Sequence, residues 1–178
     1  MTSGTKSFLI GCHQFFLHPL FVLIAWVAYY KKLPSVKQMI CILIHDIGII
    51  GKDYLKEGGK DGHYYAGGRL AYFLFGAEGA AFVSGHTDEY ALWFFDGSNI
   101  DFDLVKKIRS ELFIPDKISY LYAPLFWLKW CQWIEGFNRL CTAEDWIEMV
   151  KKNRDAGFPL DSHQIYLNLN YSYPLFGF

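Results

Sequence analysis

The sequence predicts one all-α domain, and three observations support this fold class. Apolar residues recur with the 3.6-residue period of a helix along most of the chain. Signals that start and stop helices divide the periodic stretches into five to seven segments. The chain has 178 residues and is 52% hydrophobic, which is enough for one sizeable core. We therefore expect residues 1–178 to form a single helical bundle without a substantial sheet.

The first two predicted helices have clear starting signals. Pro19 suits the first turn of a helix, where no backbone N–H is needed, and the apolar pattern continues to about Lys32. Ser35 and Gln38 have the spacing of a capping box, which predicts the start of the second helix. That helix should stop at residues 48–51, where two glycines occur.

Glycine and polar residues mark the limits of the middle helices. Residues 52–62 are polar and rich in glycine, so they should form a loop. A third helix is expected to begin near His63 and to end near Gly76. A fourth covers residues 78–86, and its continuation through Phe95 is left open.

Three further helices are predicted towards the C-terminus. Asp101 or Asp103 caps a helix that runs to Leu112. Pro115 then opens a long aromatic helix that reaches about Trp133. We expect the aromatic residues of this segment to belong to the core rather than to a surface on which bases stack.

The last predicted helix lies in the C-terminal part, 142–178. Thr142 caps it, and it should end at Asp155, before a glycine and a proline. The tail 161–178 has no helical period and is expected to be a packed coil rather than a strand. No internal repeat or linker divides the chain, so the core 15–130 and this C-terminal part should form one domain.

Charge and cysteine content restrict the partners of the protein. The net charge is −1, so no basic field favours a nucleic-acid duplex. The cysteines form no Cys-x-x-Cys pair and lie mainly in apolar helical patterns, which favours reduced thiols and a cytoplasmic location. They are Cys12, Cys41, Cys131 and Cys141. A homo-oligomer is left open.

The apolar segment 8–30 has to be distinguished from a membrane anchor. Gly11, His18 and Pro19 interrupt it, and the uninterrupted part 20–30 is shorter than the ~20 residues that a membrane span needs. We therefore expect a buried helix and no membrane partner, with a membrane segment as the alternative.

His45 and Asp46 stand side by side at the end of an almost wholly apolar helix. A buried imidazole and carboxylate are costly unless each has a partner, and a divalent metal ion accepts both. The alternative is that the pair caps a core helix. Four similar side chains lie near predicted helix ends: His18, His63, His86 and Asp116. Each has an ordinary explanation as a cap or a core residue, but together they favour a metal site.

This ordered set resembles the HD superfamily of metal-dependent phosphohydrolases. The segments that carry the resemblance are 18–26, 45–48, 63–68, 84–87 and 116–119. It covers about residues 15–130 and is closest to small, single-domain members. The diguanylate-degrading branch has a Gly-Tyr-Pro signature where this chain has Thr87-Asp88-Glu89-Tyr90, so cyclic diguanylate is not the expected substrate.

The resemblance implies six metal ligands in two sets that share Asp46. The first set is His18, His45, Asp46 and Asp116, and the second is completed by His63 and His86. We expect one or two divalent ions, from among Mn, Co, Ni, Zn, Mg and Fe, with two ions about 3.5–4 Å apart bridged by Asp46. Such ions lower the pKa of bound water and neutralise phosphate oxygens.

The resemblance also implies roles in the reaction. Asp46, His63 and Lys117 are the expected catalytic residues. Basic side chains beside the motifs are candidates to bind phosphate: Lys52, Lys60, Arg69 and Lys117, of which Lys117 and Lys52 rank highest. Each of them has the alternative of a solvated surface charge. The general acid is a histidine or water, and the sequence does not choose between them.

The expected function is that of a metal-dependent phosphohydrolase or phosphodiesterase. Its substrate would be a nucleotide or another small phosphorylated molecule. A binding or regulatory protein that kept the fold without catalysis is one alternative, although the intact ligand set disfavours it. A di-iron oxygenase on the same scaffold is the other, because iron accepts the same ligand types.

Overall fold

The computed structural model describes residues 1–53, 62–87 and 102–135 of the chain. Within these ranges the fold is all-α, as predicted, with six α-helices and no strand. The helices are α1 (Ser3–Ile10), α2 (Leu17–Tyr30), α3 (Val36–Ile44), α4 (Tyr64–Ser84), α5 (Phe102–Ile118) and α6 (Leu125–Glu135). Short 3-10 segments follow α3 and α5, at Ile47–Ile49 and Ser119–Tyr122.

The apolar N-terminal segment is divided between two helices. Thr2 caps α1 with its side-chain oxygen, which accepts from the Thr5 N–H. The chain then leaves the helical conformation at Gly11 and enters α2 at Leu17, two residues before Pro19. No helix in the described part of the chain is long and apolar enough to cross a membrane.

The predicted capping box of α3 is confirmed. The Gln38 N–H donates to Ser35 Oγ at 3.2 Å, and the Ser35 N–H donates to Gln38 Oε1 at 2.8 Å. The predicted end of this helix is wrong, because α3 stops at Ile44 rather than near residues 48–51. Asp46 has φ −94° and ψ 5°, a sparsely populated conformation that turns the chain out of the helix.

Helix α4 is bent back on itself at Gly76, where the third predicted helix was expected to end. This residue has φ 68° and ψ −160°, so the helical hydrogen bonding is interrupted there. We refer to the parts of α4 before and after Gly76 as its two arms. The arms approach each other closely, since a Cβ atom on Gly79 would lie 2.7 Å from the Ala71 carbonyl oxygen. The open continuation through Phe95 lies outside the described residues.

The predicted boundary between a helix ending at Leu112 and one opening at Pro115 is wrong. Helix α5 continues through Pro115 to Ile118. A proline inside a helix deprives the carbonyl four residues earlier of its N–H donor, and here that residue is Glu111. The Tyr30 hydroxyl of α2 donates to the Glu111 carbonyl oxygen at 3.1 Å, which replaces the missing donor. A tertiary contact therefore offsets part of the cost of the proline.

The aromatic segment that was expected to be one core helix is divided and only partly buried. Ser119–Tyr122 is 3-10, and Leu125–Glu135 forms α6. Trp127 is buried and packs edge-to-face on Phe21, with ring centroids 5.0 Å apart. The side chains of Phe126, Trp130 and Trp133 are exposed. The expectation that these aromatic residues belong to the core therefore holds for Trp127 and fails for the three exposed ones.

Two apolar clusters surround α2. One contains Phe21, Ile118, Leu121, Trp127 and Leu128, and the other contains Val22, Trp26, Ile42, Phe82 and Leu112. Helix α2 therefore contributes to both clusters and is packed between α5, α6 and the pair α3–α4. Cys12, Cys41 and Cys131 are not joined in disulfide bonds, which agrees with the expected reduced thiols. Cys141, Lys60, and the predicted helix and tail over 142–178 lie outside the described residues.

Candidate metal site

Four of the predicted ligands come together from three separate helices. His18 lies in the first turn of α2, His45 and Asp46 follow α3, and Asp116 lies in the last turn of α5. His18 Nε2 lies 3.2 Å from His45 Nε2, 3.2 Å from Asp46 Oδ2 and 3.1 Å from Asp116 Oδ1. His45 Nε2 lies 3.2 Å from Asp46 Oδ2 and 3.4 Å from Asp116 Oδ1. We refer to these four residues as the four-ligand group.

The spacing within the four-ligand group fits the donor atoms of one ion. Ligand atoms bound at about 2.0–2.2 Å lie about 2.8–3.1 Å apart around an octahedral ion and about 3.3–3.6 Å apart around a tetrahedral one. The five separations given above are 3.1–3.4 Å and lie within the span of these two ranges. Asp46 Oδ2 is buried and meets no well-aligned hydrogen-bond donor, although the Nε2 atoms of His18 and His45 lie 3.2 Å away. A cation at this point would balance its charge.

The other oxygen of Asp46 faces a second group of ligand atoms. Asp46 Oδ1 lies 3.4 Å from His86 Nε2, which in turn lies 3.0 Å from His63 Nε2. We refer to Asp46, His63 and His86 as the three-ligand group. Three residues of the four-ligand group, His18, His45 and Asp46, have ligand atoms within 4.8 Å of one another, and so do the residues of the three-ligand group. Each of these two sets of three could hold a metal ion. Asp46 belongs to both groups and offers a different oxygen to each.

Backbone carbonyls orient two of the imidazole rings. His45 Nδ1 lies 2.6 Å from the Ile42 carbonyl oxygen, and His86 Nδ1 lies 2.5 Å from the Val83 carbonyl oxygen. A carbonyl only accepts, so in both rings Nδ1 carries a hydrogen, and Nε2 presents its lone pair whenever the ring is neutral. Histidines that ligate metals are usually fixed by such an outer contact.

Opposite charges balance the cost of burial within the four-ligand group. Burial by itself lowers the pKa of both histidines, but the carboxylates beside them outweigh this effect, so the pKa values of His18 and His45 are raised. Burial by itself raises the pKa of both carboxyl groups. The His45 charge outweighs burial at Asp46, and the Lys117 charge does so at Asp116, so both carboxyl pKa values are lowered.

A glycine allows the two groups to approach each other. A Cβ atom on Gly48 would lie 1.7 Å from the His63 carbonyl oxygen, so any larger residue there would displace the start of α4. The 3-10 segment after Asp46 therefore packs directly on the backbone of His63. This contact holds one residue of the three-ligand group against the segment that carries Asp46.

The basic residues proposed for phosphate binding have different surroundings. Lys117 is nearly buried, and its Nζ lies 3.4 Å from Asp116 Oδ2 at the edge of the four-ligand group. Arg69 is exposed on α4, with its guanidinium 5.6 Å from the centroid of the Tyr65 ring. Lys52 lies after the 3-10 segment, and its carbonyl accepts from the Gly4 N–H. Phosphate binding by Lys52 and Arg69 remains a prediction.

Three residues beside the site were not predicted. The His13 ring stands edge-on to the His18 ring, with centroids 5.6 Å apart. Ser7 and Glu135 are buried and form hydrogen bonds around His13 and Cys12. The histidine was visible in the sequence, but nothing in the sequence connects residues 128 positions apart, as Ser7 and Glu135 are.

Comparisons with known proteins leave the site to be interpreted from its geometry. No family model matches the chain, and neither does any curated protein or solved structure. The geometry nevertheless defines a class of site. It consists of buried histidine and aspartate side chains, in two groups joined by one carboxylate, that could hold one or two metal ions.

Proposed function

We propose that this protein is a metal-dependent hydrolase of phosphate esters, of the HD type that its motifs resemble. Its substrate is a small phosphorylated molecule, with a nucleotide as the first candidate. The observation that carries the proposal is the position of Asp46, whose two oxygens face two different groups of ligand atoms. Two ions about 3.5–4 Å apart and bridged in this way are a common arrangement in phosphate-ester hydrolysis.

The chemistry of the donor set suits this reaction. Divalent ions held here would lower the pKa of bound water from 15.7 towards about 7 and would offset the negative charge of phosphate oxygens. Imidazole and carboxylate ligands suit Mn, Fe, Co, Ni and Zn, so the donor set does not select one metal. The rings of His45 and His86 have Nδ1 held by a backbone carbonyl, which directs Nε2 to act as the ligand atom when a metal binds.

Lys117 is the residue best placed to bind the substrate phosphate. Its side chain is 13% exposed, so its charge lies at the edge of the site rather than in bulk water. Its Nζ lies 3.4 Å from Asp116 Oδ2 and 5.5 Å from the centroid of the Phe113 ring, which keeps the charge beside the four-ligand group. A lysine acts as a point charge on phosphate, which supports binding without dictating the shape of the substrate.

Metal analysis combined with a substrate panel tests the proposal. The metal-free protein is loaded with Mn²⁺, Co²⁺ or Ni²⁺ and assayed on nucleotides, cyclic nucleotides and phosphorylated sugars. We expect hydrolysis products that require the metal and disappear with a chelator. Asp46→Ala should abolish them. Asp53→Ala is the matched control, because Asp53 accepts from Ser3 Oγ and belongs to neither ligand group.

Two outcomes would contradict the proposal and identify an alternative. Oxygen consumption by the iron-loaded protein, with no hydrolysis of any phosphate ester, would favour the oxygenase. Metal binding that changes the stability of the protein, with no turnover of any panel member, would favour a regulatory protein that kept the fold. Failure to bind any divalent ion would contradict both the hydrolase and the oxygenase.

A further inference from the structure

Helix α2 is almost wholly apolar, but the protein interior covers only part of it. The side chains that enter the two apolar clusters are those of Phe21, Val22, Ala25 and Trp26. A second row of large apolar side chains follows the outer side of the helix at helical spacing: Leu17, Leu20, Ile24 and Val27. These four are 37–47% exposed. A helix that is apolar all round is normally buried all round or in contact with lipid, so we expect the outer row to meet an apolar partner.

Exposed aromatic side chains form a similar row on α6. Phe126, Trp130 and Trp133 recur at intervals of four and three residues, which places them on one face of the helix, and all three are exposed. The ring centroids of Trp130 and Trp133 lie 5.3 Å apart. Trp130 Nε1 donates to the carbonyl oxygen of Ile10 at the end of α1. Phe16, which precedes α2, is also exposed.

The outer rows of α2 and α6 adjoin. Phe21 of α2 and Trp127 of α6 pack edge-to-face, with ring centroids 5.0 Å apart. Phe21 lies one helical turn from Leu17 and Ile24, and Trp127 lies one turn from Trp130. The ring contact therefore brings the two rows side by side. We refer to the two outer rows, together with Phe16, as the apolar face.

The charges around the apolar face have one sign. Residues 1–45, which include α1 and α2, contain four lysines and no aspartate or glutamate. Lys31 and Lys32 are exposed directly after α2, and Lys129 is exposed among the aromatic residues of α6. The one acidic residue of α6 is Glu135, which is buried. The net charge of the whole chain is −1, so this face is positive while the rest of the sequence is net negative.

We infer that the apolar face binds the surface of a lipid bilayer that contains anionic lipids. Tryptophan and aliphatic side chains enter the boundary between headgroups and acyl chains, and lysines at the rim reach the anionic headgroups. The helices lie on the bilayer and do not cross it, which agrees with the division of the segment 8–30 between α1 and α2. The expectation of no membrane partner was based on the lack of a spanning segment, and binding at the surface requires none.

A second copy of the chain fits the apolar face less well. Most homodimers have two-fold symmetry, so the same patch of both copies meets in the interface. Such a contact would bury Lys129 of both copies, and α1, α2 and α6 offer no exposed carboxylate to pair with it. Burial of an unpaired charge is costly, and lysine is depleted in protein interfaces. On a bilayer, the same side chain can extend its ammonium group to the headgroups.

Flotation of the full-length protein with lipid vesicles tests the inference. The assay needs no catalytic activity, so its result does not depend on the proposed hydrolysis of phosphate esters. Vesicles of phosphatidylcholine are compared with mixed vesicles of phosphatidylcholine and phosphatidylglycerol. We expect the protein to bind the mixed vesicles more tightly than the neutral ones. This preference should weaken as the salt concentration rises, because salt screens exposed charges.

Substitutions on the two rows test the apolar contribution. Trp133→Gln and Ile24→Gln should each lower the partition coefficient by about 10-fold or more, the loss expected when a large apolar side chain no longer enters an apolar phase. Phe73→Gln is the matched control, because Phe73 is 84% exposed but lies on α4, outside the apolar face. It should leave binding unchanged.

Substitutions of lysine test the charge contribution. Lys31→Gln and Lys32→Gln should each weaken binding to the mixed vesicles by about 5-fold, as expected for one basic residue near an anionic surface. Binding to the neutral vesicles should change little. Lys107→Gln is the matched control, because Lys107 is exposed on α5 rather than beside the apolar face.

Quenching of tryptophan fluorescence tests the position of the face on the bilayer. Lipids brominated on their acyl chains should quench the fluorescence of the wild type. Trp133→Phe keeps an apolar ring, so it should still bind the vesicles but show less quenching.

Several results would overturn the inference. Absence from both kinds of vesicle fraction would exclude membrane binding, and a dimer in solution that Trp133→Gln dissociates would then assign the apolar face to a second copy. Vesicle binding that Trp133→Gln and Ile24→Gln leave intact would place the membrane contact elsewhere. Equal binding to neutral and mixed vesicles would contradict the recognition of anionic lipids.

Discussion

The two groups of ligand atoms that share Asp46 are assembled in different ways. The four-ligand group draws its side chains from α2, the end of α3 and α5, and these elements pack on one another through both apolar clusters. The three-ligand group takes both of its histidines from the two ends of α4, with His63 at the start and His86 just after the end. A straight helix of 21 residues would hold its ends about 30 Å apart. The bend at Gly76 instead brings the two Nε2 atoms within 3.0 Å.

This difference indicates which parts of the site tolerate change. The core fixes the geometry of the four-ligand group through many contacts, so the loss of any one contact should leave it in place. The three-ligand group depends on one backbone turn and on the close contact between Gly48 and His63. We therefore expect the two groups to respond separately to substitution, except at Asp46.

The largest effect is expected for Asp46→Ala, which removes the residue that both groups share. Metal stoichiometry should fall below one ion per chain, because each group loses a carboxylate oxygen. Hydrolysis should fall by more than the ~100-fold that the loss of an outer-shell partner brings. Elemental analysis of the purified variant and assays on the best substrate measure both effects. Retention of two ions would show that Asp46 does not bridge the groups.

The second largest effect is expected for substitutions of histidines that belong to only one of the two groups. His63→Ala and His86→Ala should lower activity strongly, on the order of 10²-fold, while one ion stays bound to the four-ligand group. His18→Ala should instead weaken the ion of the four-ligand group. Titration calorimetry with Mn²⁺ reports the number of sites in each variant. Two results together would show that the three-ligand group holds no functional ion. The wild type would reach full activity with one equivalent of Mn²⁺, and neither His63→Ala nor His86→Ala would lose activity.

Gly76→Ala tests the bend of α4 without removing a ligand. A Cβ atom at this position would meet nothing within 4 Å, so the only cost is the backbone conformation, with φ 68°. Such strain is worth about 1–3 kcal/mol. Relief of the strain should move the arms apart and weaken the second ion while the first remains. Gly51→Ala is the control, since Gly51 has φ 83° and equally open surroundings outside α4. Equal effects of Gly76→Ala and Gly51→Ala on metal binding would contradict the dependence of the three-ligand group on the bend of α4.

The stability of the metal-free protein should depend on pH through the four-ligand group. The raised pKa values of His18 and His45 contribute stability that is complete below about pH 6.5 and is lost as pH rises through the folded-state values. The lowered pKa values of Asp46 and Asp116 contribute stability that is present above about pH 4 and is lost in acid. Stability should therefore be greatest between about pH 4 and 6.5.

Bound metal should reverse the loss of stability that the metal-free protein shows as pH rises, because the ligands bind metal in their deprotonated forms. Thermal unfolding at pH 6 and pH 8.5, with a chelator and with Mn²⁺, measures the effect. We expect Tm to fall with rising pH in the chelator and to rise or hold in Mn²⁺. The same rise in stability with pH in both conditions would contradict the charge balance described for the four-ligand group.

The smallest effect is expected for Tyr30→Phe, which tests how the last turn of α5 is held in the position that places Asp116 in the four-ligand group. The variant removes the donor to the Glu111 carbonyl, which Pro115 leaves without its helical partner. Loss of such a hydrogen bond costs about 0.5–1.5 kcal/mol of unfolding free energy. Metal stoichiometry should not change, because the apolar contacts of α5 remain. Urea unfolding measures the cost, and a change in metal stoichiometry would show that the four-ligand group is less robust than its packing indicates.

Local signals in the sequence were sufficient for several elements of the fold. The all-α class, the capping box of Ser35 and Gln38, and the break at Gly76 were all predicted, since each depends on residues close together in the chain. The boundary at Pro115 was wrong because the hydroxyl that sustains the helix there comes from Tyr30, 81 residues away from Glu111. The burial expected for Trp130 and Trp133 also failed, because a periodic apolar pattern does not state which face meets the core.

The sequence by itself determined which side chains could form a metal site. Histidine and aspartate beside apolar helices need partners, and the resemblance named six candidate ligands. Five of them belong to the two sets of three that could hold a metal ion, and the sixth, Asp116, lies beside His18 and His45. The resemblance implied that Asp46 is shared by two ligand sets. Only the tertiary structure decided that α4 folds back to join His63 to His86 and that Glu135 reaches Ser7 and Cys12. These features depend on the direction of side chains after distant segments have packed, and a single sequence carries no signal for that direction.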